Sequence, residues 1–271
     1  MCRWLAYMGN PVYLDELLFE PEHSLIDQSL SASRSKSTTN GDGFGVGWYT
    51  QRATPGLYKS VRPAWNDANL RDLAHHVESP MFVAHVRATT GSPVQRSNCH
   101  PFRHGRCLFV HNGQIREFDR IKRELAMAVS PALYPAIMGS TDSELLFFLA
   151  LGFGLDSRPL IALEQAVGLV EKIGAKAGIA DVLDSTMGIT NGETVHAVRY
   201  STASEPPSLF LSHSMHAITQ IHRKAPEFSE HARVIVSEPL GHMSEVWDPI
   251  APATAITISG GEVTHHHFHP S

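Results

Sequence analysis

Two glycine-bearing dipeptides restrict how this chain can fold more than any other local feature. Asn191-Gly192 separates the β-like runs 187–190 and 195–200, and Gly260-Gly261 separates 255–259 from 262–266. Both central positions of the tight turn joining such runs need positive φ, which Asn and Gly adopt at little cost. Strands joined this way are antiparallel. Further short β-like runs bounded by turn residues lie at 44–49, 81–88, 107–111, 209–212 and 233–237. Three helical patterns sit between them. Residues 117–127 put Phe118, Ile121 and Leu125 on one face. Residues 143–152 contain Leu145, Leu146, Phe147, Phe148 and Leu149 in succession, so that helix must be buried on most sides. Residues 158–173 turn Leu160, Leu163, Val167 and Val170 inward. Antiparallel strands with helices grouped in mid-chain predict an α+β fold, sheet packed on sheet with helices outside. The segments 33–41 and 202–207 read as loops, too short to be domain linkers, so a single domain over 2–271 is expected.

Composition narrows the function classes. With 42% apolar residues in 271, the chain can bury a sizeable core. A net charge of −5 gives no general attraction for nucleic acid or an anionic membrane surface. No apolar run approaches the roughly 18 residues of a membrane span. The start, with Arg3, Asp15 and Glu16, lacks the apolar core of a signal peptide. Cys2, Cys99 and Cys107 form an odd set that suits a reducing compartment, so a cytoplasmic location is expected. The tail His265-His266-His267-x-His269 invites a metal reading, but it lies on an alternating, strand-like stretch without a completed ligand set. No metal or cofactor is expected.

Several local patterns carry chemistry. If Met1 is removed, Cys2 becomes N-terminal and joins a thiol to a free α-amine in one residue. With pKa values of about 8.5 for the thiol and 7.7–8.0 for the amine, the amine can take the thiol proton near neutrality. The glycine-rich block 40–49 lacks the Lys-Ser/Thr and helix start of a phosphate cradle, so it reads as a tight turn leaving room beside a site. Residues 84–87 form an apolar strand ending in Arg87, which can grip a carboxylate or pair with a structural acid. His111-Asn112-Gly113 reads by default as a hairpin turn. Its functional reading is an oxyanion hole, built from an asparagine amide and a glycine N–H. Thr141 with Glu144 makes a capping box, and Asp142 suits the helix dipole or a bound ammonium.

In order, these pieces form a pattern: Cys2, Gly41-Asp42-Gly43-Phe44-Gly45, Ala84-His85-x-Arg87 with Thr90-Gly91, Asn98-x-His100-Pro101, His111-Asn112-Gly113, and Ser140-Thr141-Asp142-Ser143-Glu144. The pattern resembles the glutaminase domain of class II glutamine amidotransferases. The segments Cys2-Arg3-Trp4-Leu5-Ala6-Tyr7, His23-Ser24-Leu25 and Val236-Ser237-Glu238-Pro239-Leu240, followed by Trp247, are similar to a stand-alone bacterial branch. That branch includes YafJ-like predicted amidotransferases and the γ-glutamyl hydrolase of ergothioneine biosynthesis.

The resemblance implies an N-terminal-nucleophile fold, a four-layer αββα sandwich with two stacked antiparallel sheets. It implies Cys2 as nucleophile with its α-amine as base, and Asn112 and Gly113 as oxyanion hole. Arg87 would hold the α-carboxylate of a γ-glutamyl substrate and Asp142 its α-ammonium. Thr90, or Thr89 in its place, would contact the substrate, and His100 would be chiefly structural with a possible substrate contact. His23 marks the branch without a derivable role. Ala88 and Gly91 stand where related synthases carry an aromatic residue and a histidine, in a loop one residue shorter. The implied activity is hydrolysis of a small γ-glutamyl amide. The alternatives are a glutaminase subunit feeding ammonia to a separate synthase partner, and an inactive γ-glutamyl-binding module.

Overall fold

The computed structural model describes residues 2–31, 39–89, 91–203, 205–213, 218–219, 228–241 and 243–271. The described strands are β1 (Arg3–Tyr13), β2 (Phe44–Trp48), β3 (Gly56–Ser60), β4 (Glu78–Val86), β5 (Phe102–His104), β6 (Cys107–Ile115) and β7 (Leu183–Thr190), then β8 (Thr194–Ser201), β9 (Phe210–Ser212), β10 (Arg233–Val236), β11 (Trp247–Pro249), β12 (Thr254–Ser259) and β13 (Glu262–His267). The helices are α1 (Asp15–Leu18), α2 (Leu25–Leu30), α3 (Ala68–His76), α4 (Phe118–Ala128), α5 (Asp142–Gly152) and α6 (Pro159–Lys176).

The strands form two sheets, ordered β11-β9-β10-β1-β4-β2-β3 and β13-β12-β8-β7-β6-β5. Every pairing in both is antiparallel. The two turns that limited the topology do join β7 to β8 and β12 to β13, with Gly192, Gly260 and Gly261 at positive φ; Asn191 is not, and its side chain instead closes the first turn by accepting from the Glu193 and Thr194 N–H groups.

Side-chain alternation builds the layers. On β1, Trp4 and Ala6 face the second sheet, while Leu5 and Tyr7 face the helices α1–α3. On β6, Leu108 and Val110 join the core between the sheets, and Phe109 packs beneath α5 and α6. Three apolar clusters therefore separate four layers, helices, sheet, sheet, helices, which is the expected αββα sandwich. Gly45 on β2 has a physical reason: a Cβ there would lie 2.2 Å from the His100 carbonyl oxygen. Its missing side chain lets the two sheets close on each other.

Two local expectations need correction. Asn112-Gly113 is no hairpin turn; β6 continues through both residues to Ile115, paired with Thr186 and Ser185 of β7. The capping box is only half formed. Thr141 Oγ1 accepts from the Glu144 N–H (3.2 Å), but the Glu144 carboxylate accepts from the N–H groups of Met138 and Gly139 instead. It organises the loop before α5 rather than the cap itself. The buried helix is as expected: Ser143 to Leu151 of α5 are all buried. β1, β3, β5, β11 and the helices α1–α3 were not anticipated.

Candidate active site

Register places the N-terminus. Arg3 opposes Val86 in the β1–β4 pairing, so Cys2 and Arg87 lie side by side just beyond the ends of their strands. β2 reinforces the junction, since the Arg87 N–H donates to the Gly43 carbonyl (2.8 Å) and the Asp42 N–H to the Arg87 carbonyl (3.0 Å). The second sheet brings Asn112 and Gly113 on β6, and α5 begins with Asp142. Cys2, Arg87, His100, Asn112, Gly113 and Asp142 all line one cavity of about 680 Å³. Thr90 lies outside the described residues; Thr89 lines the cavity.

Cys2 is partly exposed as a residue, and its thiol donates to the Ala88 carbonyl at 3.5 Å. Burial pushes its pKa upward, against the pull of the Ala88 contact and the nearby Arg87 charge. At neutral pH it is a thiol that needs a base. Arg87 is 3% exposed. Its guanidinium donates to Ser92 Oγ (2.6 Å), Thr89 Oγ1 (3.3 Å) and the Asp42 carbonyl (3.3 Å), all uncharged acceptors. Asp142 accepts from the Ile115 N–H (2.7 Å) and the Ser143 N–H (2.8 Å), tying the end of β6 to the start of α5. Among the described residues neither Arg87 nor Asp142 belongs to an ion pair. Beside Cys2 the cavity thus presents a positive and a negative group outside any ion pair among the described residues, the complement of an amino-acid head; Arg199 and Glu205 line its farther side.

Gly113 has φ +154°, and a Cβ there would sit 1.9 Å from the Asp184 carbonyl oxygen. Only glycine fits where β6 passes the cavity. The neighbouring Asn112 is buried, with no partner for its side-chain oxygen among the described residues. His100 stacks on His85 (4.1 Å) and meets Phe102 edge-on (4.5 Å). Burial drives the pKa of His100 well below its ordinary value and that of His85 down to about 3, so both are neutral. Among the described residues no group of three or more His, Cys, Asp or Glu side chains is placed to hold a metal ion.

The sequence profile described as glutamine amidotransferases class-II matches residues 21–271. The chain belongs to this family. Within it, the chain is 42% identical over 160 residues to the probable glutamine amidotransferase DUG3 of Saccharomyces cerevisiae, covering 56% of the chain and 45% of that protein. It is 33% identical over 159 residues to the gamma-glutamyl-hercynylcysteine sulfoxide hydrolase of Mycolicibacterium smegmatis, covering 58% and 65%. The matched stretches thus span about half to two-thirds of these relatives. A glutamine aminotransferase class-II domain protein from Silicibacter pomeroyi superposes with TM-score 0.77 over 99% of both chains, at 32% identity. Cys2 precedes the residues matched by the family profile; its place at the site rests on the fold.

The cavity and the loops that support it hold residues that sequence reasoning missed. Ser92 makes the shortest contact to Arg87, and Asp42 Oδ2 accepts from the Thr89 N–H (2.8 Å) to fix the loop after β4. Arg116, paired with Asp184 at 2.6 Å, and Arg199 form a farther polar wall. Asp42 stood inside the quoted glycine block and was available as a signal. Ser92, Arg116 and Arg199 carry none, because only the folded chain brings them to the cavity.

Proposed function

We propose that this chain hydrolyses the γ-glutamyl amide bond of a small molecule through Cys2, after removal of Met1. The observation that carries the reading is the pair of opposite charges, Arg87 and Asp142, lining one cavity with Cys2 and in no ion pair among the described residues. Two charged anchors fix the amino-acid head and present its side-chain carbonyl at a set distance from the thiol. The α-amine of Cys2 takes the thiol proton as sulfur bonds to the carbonyl carbon. Asn112 and Gly113 are the proposed donors to the resulting oxyanion. Collapse breaks the C–N bond, and the α-ammonium returns its proton to the departing amine. Water then attacks the thioester with the same amine as base, releasing glutamate and restoring the thiol. The Mycolicibacterium relative, named as a hydrolase of a gamma-glutamyl compound, supports hydrolysis over ammonia delivery.

The test uses purified protein whose loss of Met1 is verified by intact mass, incubated with glutamine, glutathione and other γ-glutamyl amides. Glutamate release from at least one, abolished in Cys2→Ala, is the expected result. Turnover that survives Cys2→Ala overturns the mechanism. Release that appears only with an added synthase favours the ammonia-delivering subunit.

A further inference from the structure

The nucleophile is also gripped from behind. Arg3, 3% exposed, donates through Nη1 to the Cys2 carbonyl (3.2 Å) and through Nε to Glu238 Oε2 (2.8 Å). Glu238, 2% exposed, shares its other oxygen with His23 Nε2 at 3.0 Å. The surrounding backbone is locked as well. Trp4 and Ser237 exchange two hydrogen bonds, Trp4 N–H to Ser237 Oγ and Ser237 N–H to the Trp4 carbonyl, both 3.0 Å. Gln28 Nε2 donates to the carbonyls of His23 and Glu238. Three remote stretches, 2–4, 23–28 and 237–239, meet behind the residue that carries the thiol.

A buried ion pair of this kind is a poor source of stability, since desolvating two charges costs about what their attraction returns. Its geometry supplies something else. The Cys2 carbonyl lies in the rigid peptide plane shared with Arg3, and one torsion, ψ of Cys2, separates that plane from the α-amine. Fixing the carbonyl therefore fixes the Cys2 Cα, which lies in the same plane and carries both the amine and the thiol, against the cavity.

We propose that Glu238, acting through Arg3 and braced by His23, is a positioning group that sets where the Cys2 backbone, and with it the thiol and the α-amine, sits in the cavity. This rests on Cys2 being an N-terminal nucleophile. It predicts that Glu238→Gln loses catalytic rate without losing substrate binding, because Arg87 and Asp142 are not part of the clamp.

The experiment compares wild type, Glu238→Gln and His23→Gln, each with Met1 removal verified, and counts active sites by titration with a glutamine-like electrophile. In Glu238→Gln, kcat per titrated site should fall at least tenfold with KM within twofold, and His23→Gln should fall less. The rate of Cys2 alkylation by iodoacetamide, which needs no substrate, should fall at least threefold in Glu238→Gln. Unchanged kcat per site and unchanged alkylation overturn the proposal, whatever happens to melting temperature, because a purely structural clamp would reduce only the amount of folded protein. If wild type turns over none of the substrates, or Cys2→Ala stays active, the hydrolase reading fails separately. The alkylation rates then decide the clamp alone.

Discussion

Gly113 and Asn112 are adjacent yet hold their places for different reasons, and substitution separates them. Gly113→Ala places a methyl group against the Asp184 carbonyl at a φ that L residues avoid. It should cost about 2–4 kcal/mol in urea unfolding, from backbone strain plus overpacking. Asn112→Ala removes a side chain whose oxygen makes no bond, so the fold should survive it. Its kcat should nonetheless drop about 100-fold, the usual loss for one oxyanion donor. Unaltered kcat in a folded Asn112→Ala protein would remove that residue from the proposed chemistry. Asp142→Asn keeps an acceptor for the Ile115 N–H but loses the charge, so KM should rise at least tenfold while kcat changes little.

α5 shows what an element contributes beyond its residues. It is buried nearly all round and starts at the cavity, so its packing positions a charged group. Leu146→Ala should cost about 2–5 kcal/mol through the cavity it leaves, with KM unmoved. Thr141→Ala removes the cap and should cost only about 1 kcal/mol. Because it loosens the first turn, which carries Asp142, KM should rise in that variant. Steady-state kinetics beside urea unfolding of the two variants checks this inversion. The helix itself was legible in its continuous apolar run. β1 was not, because both its faces are covered: Trp4 and Ala6 pack on one side and Leu5 and Tyr7 on the other, so no polar alternation marks a strand.

At the scale of the whole molecule, burial of neutral histidines sets the acid limit. His196 lies between Thr194 and Thr257, away from the cavity, and burial lowers its pKa to about 4. His85, at about 3, and the lowered His100 and His111 add to this. Below about pH 6.5 the unfolded chain binds protons that the folded chain refuses, so stability falls as pH falls toward 4. His85 and His196 each contribute roughly 1.4 kcal/mol per pH unit across that window. Between pH 7 and pH 5, His196→Gln should reduce the loss of unfolding free energy by about 2 kcal/mol. An equal loss in wild type and variant would show that His196 is not the group responsible. The sequence by itself determined the antiparallel pairing at 191–192 and 260–261, the buried helix, and the order of Cys2, Arg87, Asn112, Gly113 and Asp142, because each of these is written in a few neighbouring residues. Only the tertiary structure decided that Asn112-Gly113 is strand rather than turn, that Arg87 has no acidic partner among the described residues, and that Glu238 reaches Arg3 across 235 positions. Those are contacts between distant segments, and no local pattern records them.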